Sequence, residues 1–192
     1  MLEFRQTEIL DAAREVFGEK GFTDASMDEI AARAGLAKGT LYLYFPSKRD
    51  VYIAAFQRGL EELRKQTQTE IAAQGTVHDK IRAFIDTRLR FVEESRDFCR
   101  IYHSEFANVT HPGSLTDDLR RHYEQQVELL KDLLRSGVAS GEIRDVPVDA
   151  AATAIYEMTK GWMLQRMLTE SPDSLTKDRE VLVDILWRGI GG

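Results

Sequence analysis

The sequence predicts an all-α protein, with an N-terminal three-helix domain containing a helix-turn-helix and a C-terminal antiparallel helical bundle, about nine helices in total. Three observations carry this expectation. Apolar residues recur at helical spacing along the chain, and from residue 47 onward there is no strand-like alternation, internal repeat or low-complexity tract. Glycine and proline break that spacing at intervals suited to short connections, as at Gly21, Gly35, Pro46, Gly75, Gly141 and Pro147. The segment from Ser26 to Asp50, SMDEIAARAGLAKGTLYLYFPSKRD, reads as two short helices joined by a glycine turn.

Taken in order, Ile9, Ala12, Ala13, Val16 and Phe17 form one apolar stripe on a first helix. Gly21 stops it, because a glycine just past a helix adopts the left-handed conformation cheaply, and Phe22 is placed to pack back on Phe17 as in a Schellman cap. Ser26 followed three residues later by Glu29 is a capping box that opens the second helix. Ile30, Ala31 and Ala34 give that helix its buried side, and Gly35 ends it. Leu36, Leu41 and Phe45 supply the apolar side of a third helix, which Pro46 and Ser47 close. A domain boundary is expected there, with residues 1–46 as one domain and 47–192 as the other.

A long fourth helix is predicted over 47–73, with Tyr52, Ala55, Phe56, Leu60 and Leu63 on one side. Residues 76–95 form the next, carrying Ile81, Phe84, Ile85, Leu89 and Val92, and 96–108 a shorter one. His111, Pro112 and Gly113 mark a loop before a helix over 114–140, whose apolar positions include Leu119, Tyr123, Val127, Leu130 and Leu134. The last pair is expected over 148–169 and 175–190.

The third helix leaves Lys38, Gly39, Thr40, Tyr42 and Leu43 pointing partly outward, with Tyr44 at its end and Lys48 in the first turn of the fourth. That set suits DNA. Lysine supplies charge, and the threonine and tyrosine hydroxyls supply neutral hydrogen bonds that position a protein on the phosphate backbone. Gly39 lets a helix lie close to base edges in the major groove. A buried helical hairpin is the competing explanation, but core helices seldom place Lys, Thr and two Tyr on one short turn. The net charge of −6 argues the other way. Residues 1–50 carry seven Lys or Arg against nine Asp or Glu, so even this domain is not basic overall. Distribution matters more than the sum, because salt screens charges beyond about 10 Å. Salt-sensitive binding that needs two copies acting together is expected.

In IAARAGLAKGTLYLYFPSK the chain resembles the DNA-binding domain of the TetR family of bacterial repressors, a likeness that extends over residues 7–53. The resemblance implies that Lys38 and Gly39 approach bases, that Thr40, Tyr42 and Tyr44 contact backbone, and that Lys48 holds a phosphate. Two positions depart from the family pattern. Ala37 stands where Ser is usual, which removes a side-chain cap from the third helix. Leu43 stands where a polar or aromatic residue is common, which suits a thymine methyl or a sugar better than a hydrogen bond.

The final helix carries Val181, Leu182, Val183, Ile185, Leu186, Trp187 and Ile190, more apolar surface than one stripe can bury. The helix before it offers small residues at Ala150, Ala151, Ala152 and Ala154. A homodimer built on this pair is expected, with Ile155, Leu182, Ile185, Leu186 and Ile190 at the interface, and the resemblance implies the same. The middle helices are rich in aromatic and methionine side chains: Phe84, Phe91, Phe98, Tyr102, Phe106, Tyr123, Tyr156, Met158, Trp162 and Met163. Such sets commonly form plain core. The resemblance implies an inducer pocket among them, with Arg88, His103, Glu105 and Gln126 as the polar contacts for a small apolar ligand, fatty acyl or aromatic. Ligand binding is then expected to pivot helix four and move the two recognition helices off groove spacing, releasing a palindromic operator.

Other chemistries find little support. Cys99 is the lone cysteine, and Cys99 with His103 and Glu105 does not complete a metal shell, so no metal and no cofactor is expected. No nucleophile, base and orienting group stand together, so the chain is not expected to be an enzyme. The sequence shows no signal peptide and no long apolar run, which fits a reducing cytoplasm and no membrane contact. The alternative reading is an all-α acyl- or small-molecule-binding module, or an enzyme, that uses the helix-turn-helix only for packing.

Overall fold

The N-terminal signals are realised almost residue for residue in the computed structural model, which describes residues 2–107, 115–169 and 175–191. The stripe Ile9, Ala12, Ala13, Val16 and Phe17 is buried along α1 (Leu2–Asp24). Gly21 interrupts that helix, and Phe22 does fold back, its ring stacked on Phe17 at 6.2 Å. The backbone there differs from the expected cap. Gly21 sits at φ 74°, ψ 175°, a combination essentially reserved for glycine and distinct from the left-handed helical well. In α2 (Met27–Arg33) the capping box is complete: the Ser26 hydroxyl accepts from Glu29 N, and the Glu29 carboxylate accepts from Ser26 N. Gly35, at φ 66°, ends the helix in a true Schellman pattern, with Leu36 N donating to Ala31 O at 2.8 Å and Gly35 N to Ala32 O at 3.1 Å.

The remaining helices among the described residues are α3 (Lys38–Tyr44), α4 (Lys48–Ala72), α5 (Val77–Glu94), α6 (Arg96–Ala107), α7 (Thr116–Ser140), α8 (Val148–Thr169) and α9 (Leu175–Ile190). Their bounds lie within a residue or two of those read from spacing. The loop expected at His111 to Gly113 and the helix start at Ser114 lie outside the described residues. An isolated antiparallel bridge joins Ile143 to Gly191, beside Arg144 N donating to Ile190 O at 3.0 Å. No helix among the described residues is long and apolar enough to cross a membrane.

Packing gathers these helices into two units, and the division does not fall at residue 46. One comprises Met1–Glu62 with Ser95–Asp118, the other Leu63–Glu94 with Leu119–Gly192. The chain leaves the first unit within α4, returns to it for α6, and leaves it again within α7. In that unit α6 packs on α1, α1 on α2 and α2 on α3. Two glycines let α6 in. A Cβ on Gly18 of α1 would stand 2.7 Å from Asp97 Cα, and one on Gly59 of α4 would overlap the ring of Phe98. Arg14 secures the same corner, its Nε donating to Asp97 at 2.7 Å and its Nη1 to Glu62 at 2.9 Å.

The second unit is arranged around α5, which packs on α8 and α9. Ile81, Phe84, Ile85, Leu89 and Val92 are buried along it, as the spacing required, and Phe91 is buried as well. The end of α7 closes tightly here, because Gly137 admits Ile143 where a Cβ would lie 2.6 Å from its Cδ1. His78 meets the edge of Trp187 at 4.5 Å, which holds α5 to α9.

Candidate DNA interface and ligand-binding core

The short α3 is two-sided. Leu41 and Phe45 are buried beneath it, whereas Leu43 is 85% exposed and Tyr42 43% exposed. Lys38 and Gly39 are exposed as well, with Thr40 and Tyr44 half-buried. All the residues expected to face DNA except Lys48 therefore lie on one seven-residue helix. Gly39 is not needed by the chain itself, since a Cβ there would meet nothing within 4 Å. Ala37 leaves the helix start without a side-chain cap, as expected.

The cations around α3 are already engaged. Lys38 is paired with Asp28 of α2 at 2.7 Å, Arg33 grips Glu19 with two hydrogen bonds at 2.8 and 3.0 Å, and Lys20 binds Glu29. Lys20 and the Ser26 hydroxyl together hold the Glu29 carboxyl down at about 2. Lys48 has a structural task that sequence reasoning missed. Its ammonium donates to Thr23 O at 3.0 Å and Ala25 O at 2.8 Å and lies over the Phe22 ring at 4.7 Å, tying α4 to the α1–α2 connection. Asp28→Asn is expected to free Lys38 and remove a negative charge beside it. DNA affinity should rise roughly two- to fivefold on every sequence, the scale of one exposed ion pair, read by gel shift over a salt series.

The ten residues expected to hold a ligand divide between the units. Phe98, Tyr102 and Glu105 belong to the first. There Phe98 and Tyr102 pack on Phe56 of α4, with ring centroids 5.8 and 6.4 Å away. Glu105 is committed at both oxygens, accepting from the Tyr52 hydroxyl at 2.6 Å and from Leu115 N at 3.0 Å. It is a tie within this unit.

The other seven lie in the second unit, where five form one connected group. Arg88, 1% exposed, donates from Nη1 to Gln126 Oε1 at 3.0 Å, and its guanidinium lies 4.9 Å from the ring centres of both Phe84 and Tyr156. Tyr123 meets Tyr156 edge-on at 5.1 Å. Phe91 is buried and Trp162 half-buried on their own helices.

His122 was not foreseen, and it is buried beside this group. Burial, then the positive charge of Arg88, pushes its imidazole down to about 3, so it is neutral. A signal was present in the sequence, because His122 and Gln126 share the helix face of Leu119 and Leu130, two polar residues in an apolar stripe. The stability that neutral His122 contributes is present above about pH 6.5 and lost as pH falls from there toward about 3. The unfolding midpoint of His122→Gln should therefore fall less than that of the wild type across this window.

Residues 9–55 match the model for bacterial regulatory proteins of the tetR family, and residues 74–164 match that for the tetracyclin repressor-like C-terminal domain. The chain belongs to the TetR family. This TetR-family chain is 26% identical over 140 residues to the fatty acid metabolism regulator protein of Bacillus subtilis, covering 72% of the chain and 70% of the relative. It is 28% identical over 162 residues to the transcriptional activator FasR of Mycolicibacterium smegmatis, covering 83% and 72%. Its fold matches the structure of FadR from Bacillus subtilis in complex with stearoyl-CoA, with a TM-score of 0.76, 23% identity and coverage of 94% and 96%. Like these relatives, the TetR-family chain is a transcriptional regulator.

Of the residues expected to pair two copies of this TetR-family chain, Ile155 and Leu182 are fully buried within the chain and have no area left for a partner. Leu186 and Ile190 are half-buried, and Ile185 is 56% exposed. Val181 and Leu164, 48% and 41% exposed, are further large apolar side chains on α9 and α8.

Proposed function

We propose that the chain is a ligand-responsive repressor that binds a palindromic operator as a homodimer and is released by a small apolar inducer. The observation that carries this is the two-sided α3, with an apolar underside locked into the fold and Lys38, Gly39, Tyr42 and Leu43 presented outward. In this reading α3 enters the major groove, Lys38 exchanges Asp28 for DNA, and Thr40, Tyr42 and Tyr44 contact the backbone. Lys48 has three N–H donors, two held by Thr23 and Ala25, and the third serves a phosphate. Reading thus belongs to residues 1–46 with Lys48, and sensing and pairing to 47–192.

One seven-residue helix makes few contacts, so two copies placed about 34 to 36 Å apart supply the affinity. Exposed Leu164, Val181 and Ile185 are the surface on which two copies pair. The ligand occupies the second unit around the Phe84, Arg88 and Tyr156 group, and α4, one continuous helix leaving the first unit for the second, conveys its binding to the spacing of the α3 pair. The stearoyl-CoA complex of FadR supports an acyl ligand. The protein acts in the cytoplasm and catalyses no reaction.

Selection of bound sites from random duplexes tests the reading. Enriched palindromes are expected, with Tyr42→Ala weakening binding on all sequences alike. An enriched site lowers its affinity when an inducer saturates the protein, and the coupling is reciprocal. Absence of enrichment for the wild type would favour a small-molecule-binding module without DNA binding.

A further inference from the structure

We propose that Arg88 and Gln126, enclosed by Phe84 and Tyr156, form a seat for the carboxylate of a ligand whose remainder is apolar. The inference rests on the reading that the second unit binds a small apolar inducer, and it assigns that ligand a charge. Arg88 is 1% exposed and carries a full positive charge. A buried guanidinium ordinarily faces a carboxylate, because burial strips its water and only a counter-charge restores the balance. Among the described residues Arg88 has none. Its hydrogen bond goes to the neutral amide of Gln126 at 3.0 Å, and its Nε is buried with no hydrogen-bond partner. The two aromatic faces at 4.9 Å offset part of the lost hydration, and only part.

The arrangement also selects the kind of anion. His122 is 4% exposed and neutral, so it brings no counter-charge, and the cluster carries one formal positive charge. A monoanion matches it. A phosphate dianion would leave a second charge buried and unmatched, and an alcohol, ester or thioester would leave the guanidinium as it is. The edge of the guanidinium bearing Nε can take a carboxylate in two parallel hydrogen bonds, from Nε and the adjacent Nη2, and it is the edge that Gln126 leaves open. Gln126 already occupies Nη1 and so orients the fork. The surroundings suit an apolar body, because the rings of Phe84 and Tyr156 both lie 4.9 Å from the guanidinium. Tyr123, half-buried and edge-on to Tyr156 at 5.1 Å, is the most exposed member of the group.

Nothing in the fold of α5 calls for a charge at this position. Arg88 lies in the stripe of Ile81, Phe84, Ile85 and Leu89, where every neighbour at helical spacing is apolar. A methionine would fill the same volume without a buried ion.

Calorimetric titration of the intact 192-residue chain with dodecanoate, dodecanol and dodecanoyl-CoA tests the seat, using the wild type, Arg88→Met and Gln126→Glu. The wild type is expected to bind dodecanoate at least tenfold more tightly than dodecanol. Arg88→Met should bind the acid and the alcohol within about twofold of each other. Gln126→Glu places a carboxylate on Arg88 from inside the protein, so it should fold at least as stably as the wild type and lose the preference for the acid. That last result separates a ligand seat from a merely structural arginine, and it stands even if Arg88→Met fails to fold. Equal affinity of the wild type for acid and alcohol, preference for the thioester, or an undiminished acid preference in Gln126→Glu would overturn the seat while leaving an apolar inducer in place. Failure of the wild type to bind any of the three overturns the seat and an acyl inducer alike, and leaves the DNA-reading face of α3 to the duplex selection.

Discussion

Gly59→Leu is expected to abolish DNA binding by unfolding the first unit rather than by touching DNA. The residue lies on α4 where Phe98 of α6 presses against it, and a Cβ alone would already overlap the ring. Phe98 is 1% exposed, so it cannot swing out into water without opening the core. Overpacking of this kind costs about 1–3 kcal/mol for modest insertions, and a whole isobutyl group against a buried ring stands at or above the top of that range. Urea unfolding of the wild type, Gly59→Ala and Gly59→Leu should show a graded loss, with the gain in helix propensity of alanine offsetting a little of the first step. Adding Phe98→Ala to Gly59→Ala should cost less than the two single losses added together, since each relieves the other. Additive losses would place the strain elsewhere.

The second large effect is expected at Glu105. Its carboxylate accepts from Tyr52 of α4 and from the backbone of Leu115, so Glu105→Ala strands two buried donors at once. At about 1–3 kcal/mol for each unsatisfied donor, the loss should be roughly 2–6 kcal/mol. Glu105→Gln keeps one acceptor oxygen and should lose less. Tyr52→Phe should lose about 1.5–3 kcal/mol, the value of one hydrogen bond to a charged group. This pair has its own signature in pH. Burial, and then the Glu105 carboxylate, raises the Tyr52 phenol well above its ordinary value. The folded protein keeps that phenol neutral where the unfolded chain ionises it, so stability is fully present below about pH 10 and declines above it. Tyr52→Phe should remove that decline, and an unchanged alkaline profile would show that the phenol is not held as the geometry indicates.

What the sequence made legible was local. The capping box, the glycine after α2, the missing cap at Ala37 and the return of Phe22 onto Phe17 each involve residues within a few positions, where backbone geometry leaves few choices. The exposed face of α3 was legible for the same reason, since Leu41 and Phe45 fix which side turns inward. Gly18 and Gly59 were not, because their meaning comes from Asp97 and Phe98, far along the chain. Lys48 shows the same limit: spacing placed it at the head of α4, but only the fold brings it onto the carbonyls of Thr23 and Ala25. Glu105 was expected as a polar contact for a ligand, and only the fold brings the Tyr52 hydroxyl and the Leu115 N–H onto its carboxylate. On α8 and α9 apolar content exceeded one stripe, yet composition did not separate Leu182, which the chain buries itself, from Ile185, which it leaves exposed.

The glycine notches that admit α6 bear on how such a regulator can be rebuilt. Because Asp97 and Phe98 lodge against Gly18 and Gly59, the compact unit that carries α3 is not a contiguous cassette ending where that helix ends. A chimera carrying residues 1–62 alone would lose the helix that covers this corner of α1 and α4, and Phe56 would lose both its aromatic neighbours on α6. A chimera that also carries residues 95–118 keeps Arg14 beside Asp97 and Tyr52 beside Glu105. Transplanting this unit with its packing intact therefore means moving two separate stretches of chain.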